Sequence, residues 1–187
     1  RLSQTAGRGG LPAPDSMNGG PGRSVVSGNP RHHLPQRLTC LLDRVAVDAA
    51  RWVESRKVAG LKLEVVRLPG RTPVIFFDIP ATRAGPTDTV LLYGHLDKQP
   101  EFNGWRSDLG PWTPKFENGL LYGRGGADDG YAVYAAITAI EALDRQGIAR
   151  PRCVGLIETC EESGSPDLPA YIEVLKPRLG NIALVVC

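Results

Sequence analysis

The sequence has no apolar run long enough to cross a membrane, and its opening residues lack the basic, apolar and small-residue order of a signal peptide. It has only four cysteines, Cys40, Cys153, Cys160 and Cys187, with no C-x-x-C pair. That spacing excludes a zinc knuckle and a small disulfide scaffold and fits a reducing, cytoplasmic setting. Net charge is also nearly missing: +2 over 187 residues gives no basic surface for nucleic acid. Even this excess is local. Residues 1–37 carry five arginines against Asp15 alone, so the rest of the chain is slightly acidic.

What is present looks globular, with 42% hydrophobic and 22% charged residues. The exception is the first 35 residues, which hold seven glycines and five prolines and almost no apolar periodicity. Such a segment buries too little surface to offset its ordering entropy, so residues 1–37 are predicted to be a disordered tail, its His32-His33 pair included. Residues 38–187 form the folded part. The chain begins at Arg1 and stops within the apolar run Ile182–Cys187, which suggests a fragment of a longer protein.

From Leu38, apolar residues at 38, 41, 42, 45, 49, 52 and 53 predict an amphipathic helix that ends near Gly60. Leu61 to Leu68 alternates as a half-buried strand, Pro69-Gly70 marks a turn, and Pro73–Ile79 is a second strand. Val90–Tyr93 reads as a strand covered on both faces and broken by Gly94. Lys98–Asn118 is a long irregular stretch whose two tryptophans, Trp105 and Trp112, either pin it down or wall a cleft. Leu120–Tyr122 is a short strand, Tyr131–Gln146 a helix closed by Gly147, Cys153–Ile157 a buried strand and Asp167–Leu175 a short helix before the last strand. Strands alternating with helices predict an α/β fold, a mostly parallel sheet flanked by helices.

Chemistry-bearing side chains gather at the ends of these elements. His95 and Asp97 follow one strand, Asp128 and Asp129 precede a helix, and Glu161 and Glu162 follow another strand. In open α/β sheets, ligands sit beyond the C-terminal strand ends. The glycine-rich turn Gly123–Gly130 is not a dinucleotide loop, because Asp128 stands where the third glycine of G-x-G-x-x-G belongs and two carboxylates would repel a phosphate. Taken singly, each cluster could be a hydrogen-bonded structural pair or a solvated acidic face. Together they suit a divalent cation.

The blocks Y-G-H-L-D-K-Q-P (93–100), L-Y-G-R-G-G-A-D-D-G (121–130) and E-E-S-G-S-P-D-L-P-A-Y (161–171) resemble the signature blocks of the di-zinc exopeptidases, the family that includes carnosinase, cytosolic non-specific dipeptidase, aminoacylase and acetylornithine deacetylase. The likeness runs from about Val45 to Cys187 and is nearest to the dipeptidase branch. It implies two divalent ions, zinc foremost, with manganese or cobalt able to serve. His95 would ligate one ion, Asp128 would bridge both and Glu162 would ligate the second. Asp97 would orient the imidazole, Asp129 would point away, and Glu161 would be the general base for the attacking water. Glu161 and Glu162, adjacent in an extended loop, would face opposite ways and so divide into base and ligand.

The resemblance also calls for an acidic ligand just beyond Cys187, a histidine far downstream and a lid domain that dimerises, none of which this sequence contains. The expectation is therefore that of an incomplete catalytic domain. Its parent would be a homodimeric hydrolase of dipeptides or small amides, with no nucleic-acid or membrane partner, and this polypeptide would be inactive alone. N-acyl amino acid deacylation and a non-enzymatic remnant or binding module are the alternatives.

Overall fold

The computed structural model describes residues 36–82 and 88–187. The predicted tail lies outside these residues, except that its last two positions, 36 and 37, open a helix. In chain order the elements are α1 (Gln36–Ser55), β1 (Lys62–Val66), β2 (Val74–Ile79), β3 (Asp88–His95), β4 (Lys115–Glu117), β5 (Leu120–Tyr122), α2 (Ala132–Arg145), β6 (Arg152–Glu158), a single 3₁₀ turn (Glu161–Ser163), α3 (Leu168–Leu179) and β7 (Asn181–Val186).

Five strands form one sheet in the order β1-β2-β6-β3-β7. β2 runs antiparallel to both neighbours, while β6, β3 and β7 pair in parallel, so four of the five strands share a direction. The connection from β3 to β6 carries α2, and that from β6 to β7 carries α3. The two crossovers leave in opposite directions across the sheet, and right-handed connections then place their helices on opposite faces. Alternation along β2 and β6 separates two cores accordingly. Ile75, Phe77, Ile79 and Ile157 pack with α1 and α2, whereas Val74, Phe76, Val154 and Leu156 pack with Tyr171, Leu175 and Leu179 of α3.

Several boundaries differ from the sequence reading for physical reasons. Gly94 does not break β3 but lies buried inside it, because a β-carbon there would come within 2.5 Å of the Ala132 Cβ and 2.8 Å of Asp129 Oδ2. The glycine lets the start of α2 touch the strand. The long loop contains β4, joined to β5 by Asn118 (φ 52°) and Gly119 (φ 80°), the two left-handed positions of a type I′ hairpin. Of its tryptophans, Trp105 is half-buried, while Trp112 is 55% exposed and donates its indole N–H to Glu101 in the same loop. In α1 the buried face is Ala46, Ala49, Ala50 and Val53, and Leu38, Leu41 and Val45 are exposed; the small alanines allow close approach to the sheet. α3 runs past Leu175 through Pro177, because Leu179 repeats the buried position one turn on.

Candidate metal centre

The topology brings the chemistry-bearing residues to one end of the sheet. His95, the last residue of β3, pairs with Glu158, the last of β6. The two neighbouring parallel strands therefore deliver the His95–Asp97 and Glu161–Glu162 segments side by side, and the loop into α2 supplies Asp128 and Asp129.

His95 is buried at 6% exposure. Its Nδ1 lies 3.2 Å from the backbone carbonyl oxygen of Asp97 and 3.5 Å from the carboxylate of the same residue. A proton on Nδ1 donated to that carbonyl leaves the Nε2 lone pair aimed at Asp128 Oδ1 (3.1 Å) and Glu161 Oε2 (3.6 Å). Burial alone would lower the imidazole's proton affinity, but Asp97, Asp128 and Glu161 outweigh it and the net shift is upward. An imidazole nitrogen facing two carboxylates requires either a proton or a metal cation between them.

Asp97 orients the ring through its main chain. Its carboxylate is committed elsewhere, accepting the backbone N–H groups of Glu161 (3.1 Å) and Glu162 (3.0 Å). Burial pushes this carboxyl upward against those two donors and His95. Asp129 also serves the backbone, accepting His95 N–H at 3.0 Å on one oxygen and Ala132 N–H at 3.2 Å on the other. It thereby ties the end of β3 to the start of α2. Asp128, its side chain 79% exposed, touches only His95 among these contacts.

Glu161 and Glu162 sit in a 3₁₀ turn, closed by Gly164 in the left-handed region (φ 83°), and not in an extended loop. That geometry removes the reason for opposed side chains: ligand atoms of His95, Glu161 and Glu162 lie within 4.8 Å of one another. One oxygen of Glu162 accepts from Gln99 Nε2, while the other, Oε1, is buried without a partner. A buried carboxylate oxygen with no donor costs free energy unless a cation faces it. An imidazole and two carboxylates gathered this closely, one of them with an orphan oxygen, fit a divalent metal of the zinc type.

Three supporting residues carry no metal-ligand signal of their own, Lys98 and Gln99 inside the first sequence block and Glu158 just ahead of the third. Gln99 fixes one oxygen of Glu162. Glu158, with no exposed surface, receives hydrogen bonds from Tyr93 Oη, Ser165 Oγ and Cys160 Sγ, a closed set that anchors both ends of the Glu161–Glu162 turn. Burial, followed by the Glu158 contact, pushes the Cys160 thiol up to about 12. Lys98 donates to the Asp129 carbonyl oxygen from the other side of the glycine-rich loop, and its ammonium is held below the usual lysine range by burial against the pull of nearby carboxylates.

Residues 91–187 match Peptidase family M20/M25/M40. The human Beta-Ala-His dipeptidase is 35% identical over 143 residues, covering 72% of this chain and 27% of its own length. A succinyl-diaminopimelate desuccinylase of Methylobacillus flagellatus is 40% identical over 99 residues, covering 51% of this chain and 26% of its own. Among solved structures, human carnosine dipeptidase 1 superposes with a TM-score of 0.65 at 29% identity, over 81% of this chain and 33% of that one. The chain thus spans between a quarter and a third of these relatives' lengths.

Proposed function

The chain belongs to the M20/M25/M40 peptidase family, whose members are metal-dependent, and on that premise we propose that the protein hydrolyses the amide bond of dipeptides or small peptides. The observation that carries this reading is the convergence of ligand atoms of His95, Glu161 and Glu162 within 4.8 Å of one another, with Glu162 Oε1 left without a hydrogen-bond partner. In the proposal residues 38–187 are part of the catalytic domain, and His95, Asp128 and Glu162 would hold two zinc ions. Bound there, zinc would acidify a water from a pKa of about 15.7 toward about 7 and polarise the scissile carbonyl.

The protein's own groups perform the remaining tasks. Glu161 accepts the proton of the attacking water on its carboxylate and passes it to the leaving amine nitrogen, so the carboxylate is restored at the end of the cycle. Asp97 holds the backbone of Glu161 and Glu162 in place and fixes the tautomer of His95. Glu158, Tyr93 and Ser165 hold the turn from beneath. Residues outside this chain would complete the ion shell and a homodimer. The exposed thiols of Cys40 and Cys187 suit a reducing, cytoplasmic compartment.

A second reading, hydrolysis of N-acyl amino acids by the same residues, is favoured by the desuccinylase relatives. Full-length protein assayed with zinc against a dipeptide panel and an N-acyl amino acid panel separates the two. Turnover of dipeptides that is abolished by chelation and restored by zinc supports the proposal. Turnover confined to N-acyl substrates selects the second reading, and turnover that survives chelation contradicts both.

A further inference from the structure

We propose that Lys98 is a positioning residue, a clamp that sets the glycine-rich loop Gly123–Gly130 so that Asp128 stands at His95; the role assigned to Asp128 rests on the metal reading above.

The loop has no helix or strand of its own and is held by contacts to its neighbours. Glycine fills four of its eight positions, 123, 125, 126 and 130, and glycine loses more conformational freedom on ordering than any other residue. Its first turn is anchored by the Arg124 guanidinium, which donates to the Gln99 carbonyl oxygen at 3.1 Å and to the Pro100 carbonyl oxygen at 2.9 and 2.7 Å, and the remaining contacts fall on the backbone and on Asp129. Arg124 N–H donates to the Pro111 carbonyl oxygen at 2.8 Å, the Asp129 carboxylate binds the backbone at His95 and Ala132, and Lys98 donates to the Asp129 carbonyl oxygen. Asp129 is thus gripped on both sides, by its side chain toward β3 and by its carbonyl toward Lys98. Asp128 precedes it with a mostly exposed side chain, so its position follows from that grip.

The lysine fits the loop closely. A β-carbon at Gly125 would lie 2.6 Å from Lys98 Cε, and one at Gly130 would overlap Lys98 Nζ. Both glycines have left-handed φ, +72° and +120°, so the same two positions supply the backbone bend and the room for the side chain. The charges that act on the ammonium are those of Asp129, Asp97, Asp128 and Glu162. A purely electrostatic lysine would compete with a metal ion for these carboxylates, and removing it would tighten metal binding. A clamp has the opposite sign, since its loss frees Asp128.

The test is Lys98→Met, which keeps the stem and removes the ammonium, and Lys98→Arg, which keeps the charge on a head too large for the cradle. Both are made in the full-length protein. Hydrogen exchange of the metal-free variants should rise about tenfold or more across residues 123–131 while β2 and β6 keep their protection, as for a locally released segment. Zinc affinity, measured by competition with a chromophoric chelator, should fall about 10- to 100-fold in both, the range found when supporting contacts of a metal site are lost. Unchanged exchange at 123–131, an exchange increase spread over the whole sheet, or a rise in zinc affinity for Lys98→Met would overturn the clamp. Failure of the unmodified protein to bind zinc would instead sink the metal reading, and the exchange data would still decide the role of Lys98.

Discussion

The carboxylate of Asp97 accepts the backbone N–H of Glu162 at 3.0 Å, so the residue two beyond the buried histidine fixes the main chain that carries the opposing carboxylates. A neighbouring bond to Glu161 N–H at 3.1 Å completes the pair. Asp97 therefore acts on both strand ends at once, through its carbonyl on His95 and its carboxylate on the turn.

Replacing Asp97 with alanine should leave two backbone donors without partners. We predict a loss of about 1–3 kcal/mol of stability, the usual penalty for an orphaned buried group, with zinc affinity reduced about 10- to 100-fold. Denaturant melts and chelator competition measure the two effects. Wild-type values for both would show that Asp97 supports neither strand end.

At Gly94 the relevant distance is the 2.5 Å between an added β-carbon and Ala132 Cβ. Gly94→Ala should destabilise the fold by about 1–3 kcal/mol through overpacking. Adding Ala132→Gly should recover part of that loss. A double mutant no more stable than Gly94→Ala would mean that the clash lies elsewhere.

Glu158 collects three donors in a site with no exposed surface. Glu158→Gln presents an amide N–H₂ where one acceptor is needed, at a predicted cost of about 1–3 kcal/mol. Glu158→Ala, which orphans all three donors and leaves a void, should cost more. Thermal melts in which the two substitutions cost the same would argue against this network.

The shift of the Cys160 thiol to about 12 fixes its reactivity. At pH 8 a raised pKa means that almost no thiolate is present, and only the thiolate is nucleophilic. Iodoacetamide should label Cys40 and Cys187, both exposed, in the native protein, and should label Cys153 and Cys160 only after unfolding. Peptide mass spectrometry reads the pattern, and native labelling of Cys160 would contradict its burial.

Much of the fold was legible because periodicity reports burial: the runs at Val74–Ile79 and Arg152–Glu158 are apolar on both faces, and both strands sit inside the sheet. Gly94 was misread because a glycine that ends a strand and one that admits a helix look alike in sequence; only the position of Ala132 distinguishes them. The Asn118-Gly119 hairpin carried its usual dipeptide signal but lay at the margin of a long irregular stretch. At the site, His95, Asp97, Asp128, Glu161 and Glu162 were visible as residue types at strand and helix ends. The 3₁₀ turn that gathers Glu161 with Glu162 was not, since one turn of three residues has no periodicity to read. Lys98 and Glu158 were silent for another reason: their roles depend on partners 31 and 65 residues away.

The central claim is that Glu161 moves protons while His95 and Glu162 hold metal, and Glu161→Gln in the full-length protein tests it most directly. Zinc content after dialysis and the rate of dipeptide hydrolysis are measured on the same preparation. The account predicts zinc retained near the wild-type level and hydrolysis reduced about 10²- to 10⁴-fold, the contribution of a positioned general base. Zinc lost from the variant would make Glu161 a ligand, and hydrolysis at the wild-type rate would remove it from the chemistry; either result contradicts the account.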